Sequence, residues 1–227
     1  MMINILTRFH RGREASMEAL LKSLEGQEYR HIISVENKED ECFIRAMIPD
    51  AVIVRVQNKG GYSFNGYINE MAKVANGPVW VLDSDDIAEP NAIQTIKENY
   101  ESGKLNIFRI FYGIDGCLPR SFHVEKKFEG LQISSQCMVW DPKSADFPLW
   151  SGVAYEADNY FKNDCKKKGI EISVHWAADY IGHLIQNNMG KQVSYEDVKS
   201  INEILTKTAN QRRFAFNGIS NSVRVGM

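Results

Sequence analysis

Three carboxylates follow a short apolar run, and their types and spacing suggest chemistry. The run is Val79–Leu82, and the acids are Asp83, Asp85 and Asp86. Asp83 and Asp85 are two positions apart, so in extended chain their side chains point the same way and repel each other. A divalent cation removes that repulsion, and Mg²⁺ and Mn²⁺ favour carboxylate oxygens together with substrate phosphates. The residues therefore suggest a metal–diphosphate site at a strand end, with a plain polar loop leading into a helix at Pro90 as the alternative.

The elements that would position these acids alternate between strand and helix over the first 112 residues. The spacing of apolar residues, with glycine or proline at the ends, predicts strands over 3–9, 29–35, 51–56, 79–82 and 105–112. The same criteria predict helices over 14–24, 63–75 and 90–101. Such alternation implies a largely parallel sheet with helices on both faces. In such sheets ligands bind at the carboxyl ends of the strands, where the acids lie.

The second half of the chain has a less regular pattern. We expect a loop-rich stretch over 113–130, a strand over 131–140, a helix over 155–168, a strand over 170–174, partial helix over 175–189 and a helix over 194–209. No repeat, low-complexity segment or clear linker interrupts the chain, so we expect one domain.

Composition narrows the class of protein. The chain has 227 residues, 44% of them hydrophobic and 25% charged, with a net charge of −2, as in ordinary globular proteins. This balance does not indicate nucleic acid as a partner. We find no signal peptide and no apolar run near the roughly 18 residues of a transmembrane segment. Four scattered cysteines predict reduced thiols, so we expect a cytoplasmic protein.

The ordered set of motifs resembles the nucleotide-sugar half of GT-A glycosyltransferases, especially of family 2. "NILTRF" resembles the family's first strand and nucleotide loop, and "HIISVEN" its second strand. "NGYINEMAKVANGPVWVLDSDD" resembles the helix that leads into its DxD strand, and "YEADNYF" lies where it carries catalytic acids. The resemblance covers residues 3–112 well and extends more loosely to about residue 185. No single motif decides it; the order of the set makes it fairly specific.

The resemblance implies an α/β fold of the GT-A type. Its central sheet would be mostly parallel, with helices on both faces and a smaller irregular region on the acceptor side. Residues 1–112 would form the nucleotide-sugar-binding half and 113–190 the acceptor and catalytic half of the same domain. Residues 191–227 would form a C-terminal helix and tail.

The resemblance also implies a donor site. The donor would be a nucleoside-diphosphate sugar, with a UDP-sugar favoured, bound by Thr7, Arg8, Glu36, Asn69, Asp83 and Asp85. Asp85 would ligate Mn²⁺ or Mg²⁺, with Asp83 beside it at the sugar or ribose. Glu36 stands where the family has an aspartate that reads the base. Ile68 replaces the arginine of the family's Arg-Asn helix, so diphosphate contacts would come from elsewhere, with Arg8, Arg11 and Lys59 as candidates.

Catalytic acids are implied at Asp158 and Glu156, in that order of preference. A carboxylate near the acceptor hydroxyl takes its proton as it attacks and contributes about 10²–10⁴ in rate. A hexosyltransferase-like enzyme with such a base would invert the anomeric centre, and the retaining alternative stays open. His175 or His183 would be a possible third metal ligand, although a single histidine is more often structural or exposed.

Two other functions fit parts of the sequence. "VWVLDSDDI" resembles the motif of haloacid-dehalogenase-type phosphatases, with Asp83 as nucleophile and Asp85 as acid and base. Three predicted strands precede it here, whereas that motif normally opens its domain. A nucleotide-sugar-binding protein without turnover is the other alternative. The acceptor stays open among a glycan, a lipid-linked sugar, a protein and a modified nucleic-acid base.

Overall fold

The structure, a computed structural model, describes residues 1–57, 64–112, 116–119, 133–151 and 157–184. The helices of these parts are α1 (Glu14–Ser23), α2 (Lys38–Met47), α3 (Phe64–Lys73), α4 (Ala92–Asn99) and α5 (Ala157–Lys167). The strands are β1 (Ile3–Arg8), β2 (Tyr29–Val35), β3 (Val52–Arg55), β4 (Val79–Val81), β5 (Ile87–Ala88), β6 (Leu105–Ile107), β7 (Ile110–Tyr112), β8 (Gly116–Leu118), β9 (Met138–Trp140), β10 (Ile172–Val174) and β11 (Gly182–Leu184). A 3₁₀ helix, Ser135–Cys137, leads into β9.

Seven strands form the larger sheet, in the order β10-β6-β9-β4-β1-β2-β3. Its neighbouring strands are parallel, except that β9 runs antiparallel to both β4 and β6. In strand β1, Ile5 lies opposite His31 of β2 and Trp80 of β4. The mostly parallel α/β sheet that the sequence predicts is therefore confirmed.

An aromatic cluster joins α5 to the sheet. The rings of Trp150 and Phe161 stack with centroids 4.4 Å apart, and the ring of Trp140 lies 5.1 Å from that of Phe161. All three side chains are buried. Buried aromatic pairs of this kind contribute about 0.5–1.5 kcal/mol beyond the transfer of their area from water. The cluster therefore fixes the position of α5, which carries Asp158.

Four strands form the second sheet, in the order β5-β11-β7-β8, and it corrects two sequence predictions. The strand predicted over 105–112 is two strands, because the chain leaves the larger sheet after Phe108, whose N–H bonds Cys137 O at 2.8 Å. The helix predicted within 175–189 is wrong at residues 182–184, which form β11. A Cβ at Gly182 would lie 2.9 Å from the carbonyl oxygen of Ile87, so β11 passes β5 closely.

Other elements differ from their predictions. Helix α2 lies in a stretch without a clear periodicity; its N-cap is Asn37, whose side chain accepts a 2.8 Å hydrogen bond from the N–H of Asp40. The strand predicted over 131–140 is shorter, because Ser135–Cys137 forms the 3₁₀ helix. The helix predicted over 194–209 lies outside the described residues. None of the described helices combines the length and the apolar composition of a membrane span.

Candidate active site

The acids after β4 lie at the carboxyl end of the larger sheet, beside the end of β1. The N–H of Leu82 bonds Leu6 O at 3.0 Å, which carries the β1–β4 pairing up to the acids. A 3.0 Å hydrogen bond from the N–H of Asp86 to Asp83 O then closes a turn. Because β1 and β4 are parallel neighbours, Arg8 at the end of β1 reaches the first of these acids.

Asp83 is held by Arg8 from one side and by Gln136 from another. Arg8 donates from Nε to Oδ1 at 3.0 Å and from Nη2 to Oδ2 at 3.1 Å, and Gln136 Nε2 donates to Oδ2 at 3.2 Å. Such forked guanidinium–carboxylate pairs are among the stronger hydrogen-bonded contacts in proteins. Both oxygens of Asp83 therefore accept hydrogen bonds, and the predicted pair of Arg8 and Asp83 meets in one site.

Gln136 is a site residue that the sequence reasoning missed. Its Nε2 also donates to Asp86 Oδ2 at 2.9 Å, while its Oε1 accepts from the hydroxyls of Ser134 and Ser135. Carboxylates only accept hydrogen bonds, so the amide nitrogen must face the two acids. A run of polar residues inside an otherwise apolar predicted strand is the signal that would have singled out this position.

Asp85 forms an ion pair with Arg13, a second residue that the predictions did not include. Arg13 Nη1 donates to Asp85 Oδ2. Burial and the negative charge of Asp83 raise the pKa of Asp85, and Arg13 opposes that shift. Arg13 is the N-cap residue of α1, at the end of the basic loop that follows β1. The site therefore contains two acids of the DxD motif and two arginines.

The acids are suited to a divalent cation that is also coordinated by phosphate and water. No group of three or more histidine, cysteine, aspartate or glutamate side chains within the described residues is placed to hold a metal ion. Mg²⁺ is usually bound by one or two carboxylates together with phosphates and water, so Asp85 alone or with Asp83 suffices. The suggested third ligands have other partners: His175 bonds Asn106 Oδ1 at 2.9 Å, and His183 bonds Glu89.

Asp158 lies in the first turn of α5 and belongs to the same site. Burial and the negative charge of Asp83 raise its pKa to about 7, while the backbone N–H of Ser135, which hydrogen-bonds the carboxylate, and the charge of Arg8 oppose the shift. The 3₁₀ helix therefore touches Asp158 through Ser135 and the DxD acids through Gln136. Glu156, the second predicted base, lies outside the described residues.

The side chain of Thr7 makes its hydrogen bonds within the protein, so its donor contact stays a prediction. Its side chain is fully buried, and its hydroxyl donates to Leu82 O at 2.8 Å while His31 Nε2 lies 2.9 Å from the same oxygen. Burial lowers the pKa of His31 to about 3, so this ring is neutral. Its Nε2–H donates to Thr7, because the single hydroxyl hydrogen of Thr7 already goes to Leu82 O. The hydroxyl therefore has no exposed surface. Its hydrogen bond to Leu82 O supports the loop that carries the acids.

The remaining predicted donor residues have partners within the protein. Asn69 bonds the backbone of Trp150 through both polar atoms of its amide, so its donor contact stays a prediction. Glu36 accepts from the hydroxyl of Tyr67 and lies 3.6 Å from His10 Nδ1, at the end of β2; its base contact also stays a prediction.

Arg11, one of the candidate diphosphate contacts, has a partner other than the DxD acids. Arg11 donates to Asp40 Oδ1 at 2.9 Å, away from Asp83 and Asp85. Lys59 lies outside the described residues. Of the two candidates that the structure describes, Arg8 is therefore the one that contacts the acids.

No protein-family model and no curated protein matches the chain. Solved structures match in fold. Residues 1–349 of TarS from S. aureus align over 100% of this chain and 76% of that one, with a TM-score of 0.56 and 13% identity. The same fragment in complex with UDP-GlcNAc aligns over 100% of this chain and 77% of that one, with a TM-score of 0.59 and 15% identity.

A further TarS structure aligns over 88% of this chain but only 38% of its own length, with a TM-score of 0.55 and 16% identity. TarS is a GT-A glycosyltransferase, and likeness at such low identity shows a common fold. The chain therefore has the GT-A glycosyltransferase fold, as its motifs predict.

Proposed function

We propose that this chain transfers a sugar from a nucleoside diphosphate to an acceptor hydroxyl, with a divalent cation and with inversion. The observation that carries the proposal is the place of Asp158. On a GT-A fold, beside the DxD acids, the pKa of this carboxyl group is raised to about 7. A general base works best when its pKa lies near the working pH, which an ordinary aspartate does not satisfy.

A UDP-sugar is the donor we favour. In support, the TarS fragment has been solved with UDP-GlcNAc and with UDP. Glu36 lies at the end of β2, the strand that neighbours β1, and keeps a carboxylate where the family reads its base. Arg8 and Arg13 add positive charge where a diphosphate would lie against Asp83 and Asp85.

In this mechanism each group has one task. A cation bound by Asp85 would supply Lewis-acid stabilisation of the charge that the leaving diphosphate gains. Arg8 and Gln136 hold the carboxylate of Asp83, which would then meet the sugar or ribose in a fixed orientation. Asp158 takes the proton of the attacking hydroxyl, and the Ser135 N–H orients its carboxylate.

A ligand screen tests the donor half of this proposal. Thermal unfolding is followed with UDP, GDP, ADP and TDP, each with and without Mn²⁺, because a ligand that binds the folded state raises its apparent stability. We expect the largest shift with UDP and Mn²⁺ together and a loss of the Mn²⁺-dependent part in Asp85→Ala. An unchanged Mn²⁺ dependence in Asp85→Ala would show that the metal assignment is wrong.

A turnover assay separates the alternatives. UDP release from a panel of UDP-sugars, with glycan, lipid-linked and protein acceptors, measures hydrolysis and transfer. A binding protein without turnover would bind UDP and release none from the sugars. A phosphatase would cleave a generic phosphate ester with Mg²⁺. The geometry disfavours this function, because Asp83 would be the nucleophile and both of its oxygens accept hydrogen bonds from Arg8.

A further inference from the structure

Arg13 differs from the other arginines around the site in how it is held. Arg8 makes a two-bond fork to Asp83, and Arg11 is committed to Asp40. Arg13 meets a single oxygen of Asp85, and about a third of its side chain is exposed. Of the two arginines that contact the DxD acids, Arg13 is therefore the one that can change partner more easily.

Asp85 is also the more accessible of the two acids. Its side chain is 23% exposed, whereas that of Asp83 is 12% exposed and accepts hydrogen bonds from Arg8 and Gln136. A cation that enters the site would therefore bind Asp85 first. One oxygen of that carboxylate, Oδ2, is already bonded to Arg13.

We propose that Arg13 occupies the cation position at Asp85 in the ligand-free protein and moves to the donor diphosphate when a divalent cation binds there. A guanidinium and a divalent cation repel each other and cannot both keep close contact with one oxygen. A diphosphate offers Arg13 a new partner, since the guanidinium fork matches phosphate oxygens. The phosphate half of this inference rests on the proposed function.

The exchange predicts effects of opposite sign on two ligands. Without Arg13, the cation alone no longer competes for Asp85, so it binds more tightly. The nucleoside diphosphate with its cation loses one charged hydrogen-bonding partner, so it binds more weakly. A merely structural role of Arg13 would weaken both ligands together.

The experiment compares wild type, Arg13→Gln and Arg45→Gln. Arg45 is the matched control, because it also pairs with a carboxylate, Glu41 of its own helix α2. Mn²⁺ binding without nucleotide is followed by the electron paramagnetic resonance signal of the free ion, and UDP binding at saturating Mn²⁺ by calorimetry. We expect Arg13→Gln to bind Mn²⁺ alone roughly threefold to tenfold more tightly than wild type. Its affinity for UDP should fall by roughly tenfold or more. Both affinities should be unchanged in Arg45→Gln.

A second pair of variants links the effect to Asp85. The gain in Mn²⁺ affinity should vanish when Arg13→Gln is combined with Asp85→Asn. Arg13→Lys keeps the charge, so it should recover part of the UDP affinity and lose part of the gain in Mn²⁺ affinity. Arg13→Ala replaces Arg13→Gln if that variant does not fold by circular dichroism. A gain that persists without Asp85 would overturn the exchange.

The remaining outcomes separate this inference from the proposed function. A parallel loss of both affinities in Arg13→Gln, or no change in either, rejects the exchange. If wild type binds none of UDP, GDP, ADP and TDP with Mn²⁺, the proposed function fails together with the phosphate half. The exchange at Asp85 is then judged by Mn²⁺ alone: a gain in Arg13→Gln supports it and no gain rejects it.

Discussion

Asn69 exchanges two hydrogen bonds with the backbone of Trp150. Its Nδ2 donates to Trp150 O at 3.0 Å, and its Oδ1 accepts from Trp150 N at 2.9 Å. The pair ties α3 to the segment that enters α5, and Trp150 continues the connection by stacking on Phe161. The amide therefore supports the placement of the helix that carries Asp158.

Asn69→Asp tests this supporting role. The variant replaces the Nδ2 donor by a carboxylate oxygen that faces a carbonyl oxygen, so we expect it to lower the free energy of unfolding by about 1–3 kcal/mol. Urea unfolding measures the change, with Asn76→Asp as an exposed control. Unchanged stability together with weaker UDP binding would instead assign Asn69 the donor contact that its motif predicts.

The pKa of Asp158 should govern the pH dependence of transfer. Because the carboxyl group must be ionised to accept a proton, and kcat/KM reports the ionisation of the free enzyme, kcat/KM should rise with pH and level off above about 7. Asp158→Asn should lower kcat by about 10²–10⁴ and leave donor binding in place. Asp164→Asn is the matched control, since Asp164 lies on the same helix and pairs with Lys167 at the surface. Normal transfer by Asp158→Asn would direct attention to Glu156→Gln.

The same carboxyl group should reduce stability at high pH. Its pKa is 3.8 without the fold and about 7 within it, so between these values the folded state holds a proton that the unfolded state has lost. Stability therefore falls as pH rises through this window, by up to about 4 kcal/mol. Asp158→Asn should be more stable than wild type at pH 8, with a smaller difference at pH 5, in urea unfolding. An equal difference at both pH values would contradict the raised pKa.

Gln136→Leu should destabilise the acid loop. The change removes the N–H donors that serve the buried carboxylates of Asp83 and Asp86, at a cost of about 1–3 kcal/mol at neutral pH. UDP affinity in Mn²⁺ should fall as well, because Asp83 loses one of its two supports. Gln94→Leu is the control, since the Gln94 amide meets Glu98 on an exposed helix face. Wild-type values for both quantities would remove Gln136 from the site.

His31 predicts a second pH effect of opposite sign. Burial lowers its pKa from 6.5 to about 3, so below pH 6.5 the unfolded state binds a proton that the folded state excludes. Stability is therefore lost as pH falls through this window, by about 1 kcal/mol between pH 7.5 and pH 5.5. His31→Gln keeps an N–H for Thr7 and does not titrate. Between pH 7.5 and pH 5.5 its stability should therefore fall less than that of wild type, and the difference should equal the contribution of His31. Equal changes in urea unfolding of variant and wild type would reject the prediction.

The sequence alone predicted much of the first half of the fold and part of the site. Hydrophobic periodicity located β1, β2, β3 and β4, because each of these short strands is rich in apolar residues. It failed at Phe108, where alternation continues although the chain changes sheet. Periodicity reports which residues are buried, and says nothing about which strand lies beside which.

Two site residues, Arg13 and Gln136, were missed for the same reason. Arg8 lies near the end of one predicted strand and Asp83 directly follows another, so their contact was foreseeable once the strands were placed in parallel. Arg13 and Gln136 reach the acids only through tertiary folding, Arg13 from the start of α1 and Gln136 from the 3₁₀ helix. Side chains of this kind look like surface charge or like part of a strand until the neighbouring elements are known.

Strand β9 has a consequence for how the protein folds. Strands β1, β2 and β3 come from the first quarter of the chain and can pair early, because they lie close together in sequence. β9 must instead insert between β4 and β6, and its insertion brings Ser135 and Gln136 to the acids. Contacts between distant parts of a chain form slowly, because loop closure opposes them. The active site and the late stage of folding therefore coincide, and amides around the acid loop should gain protection from hydrogen exchange after those of β1 and β2.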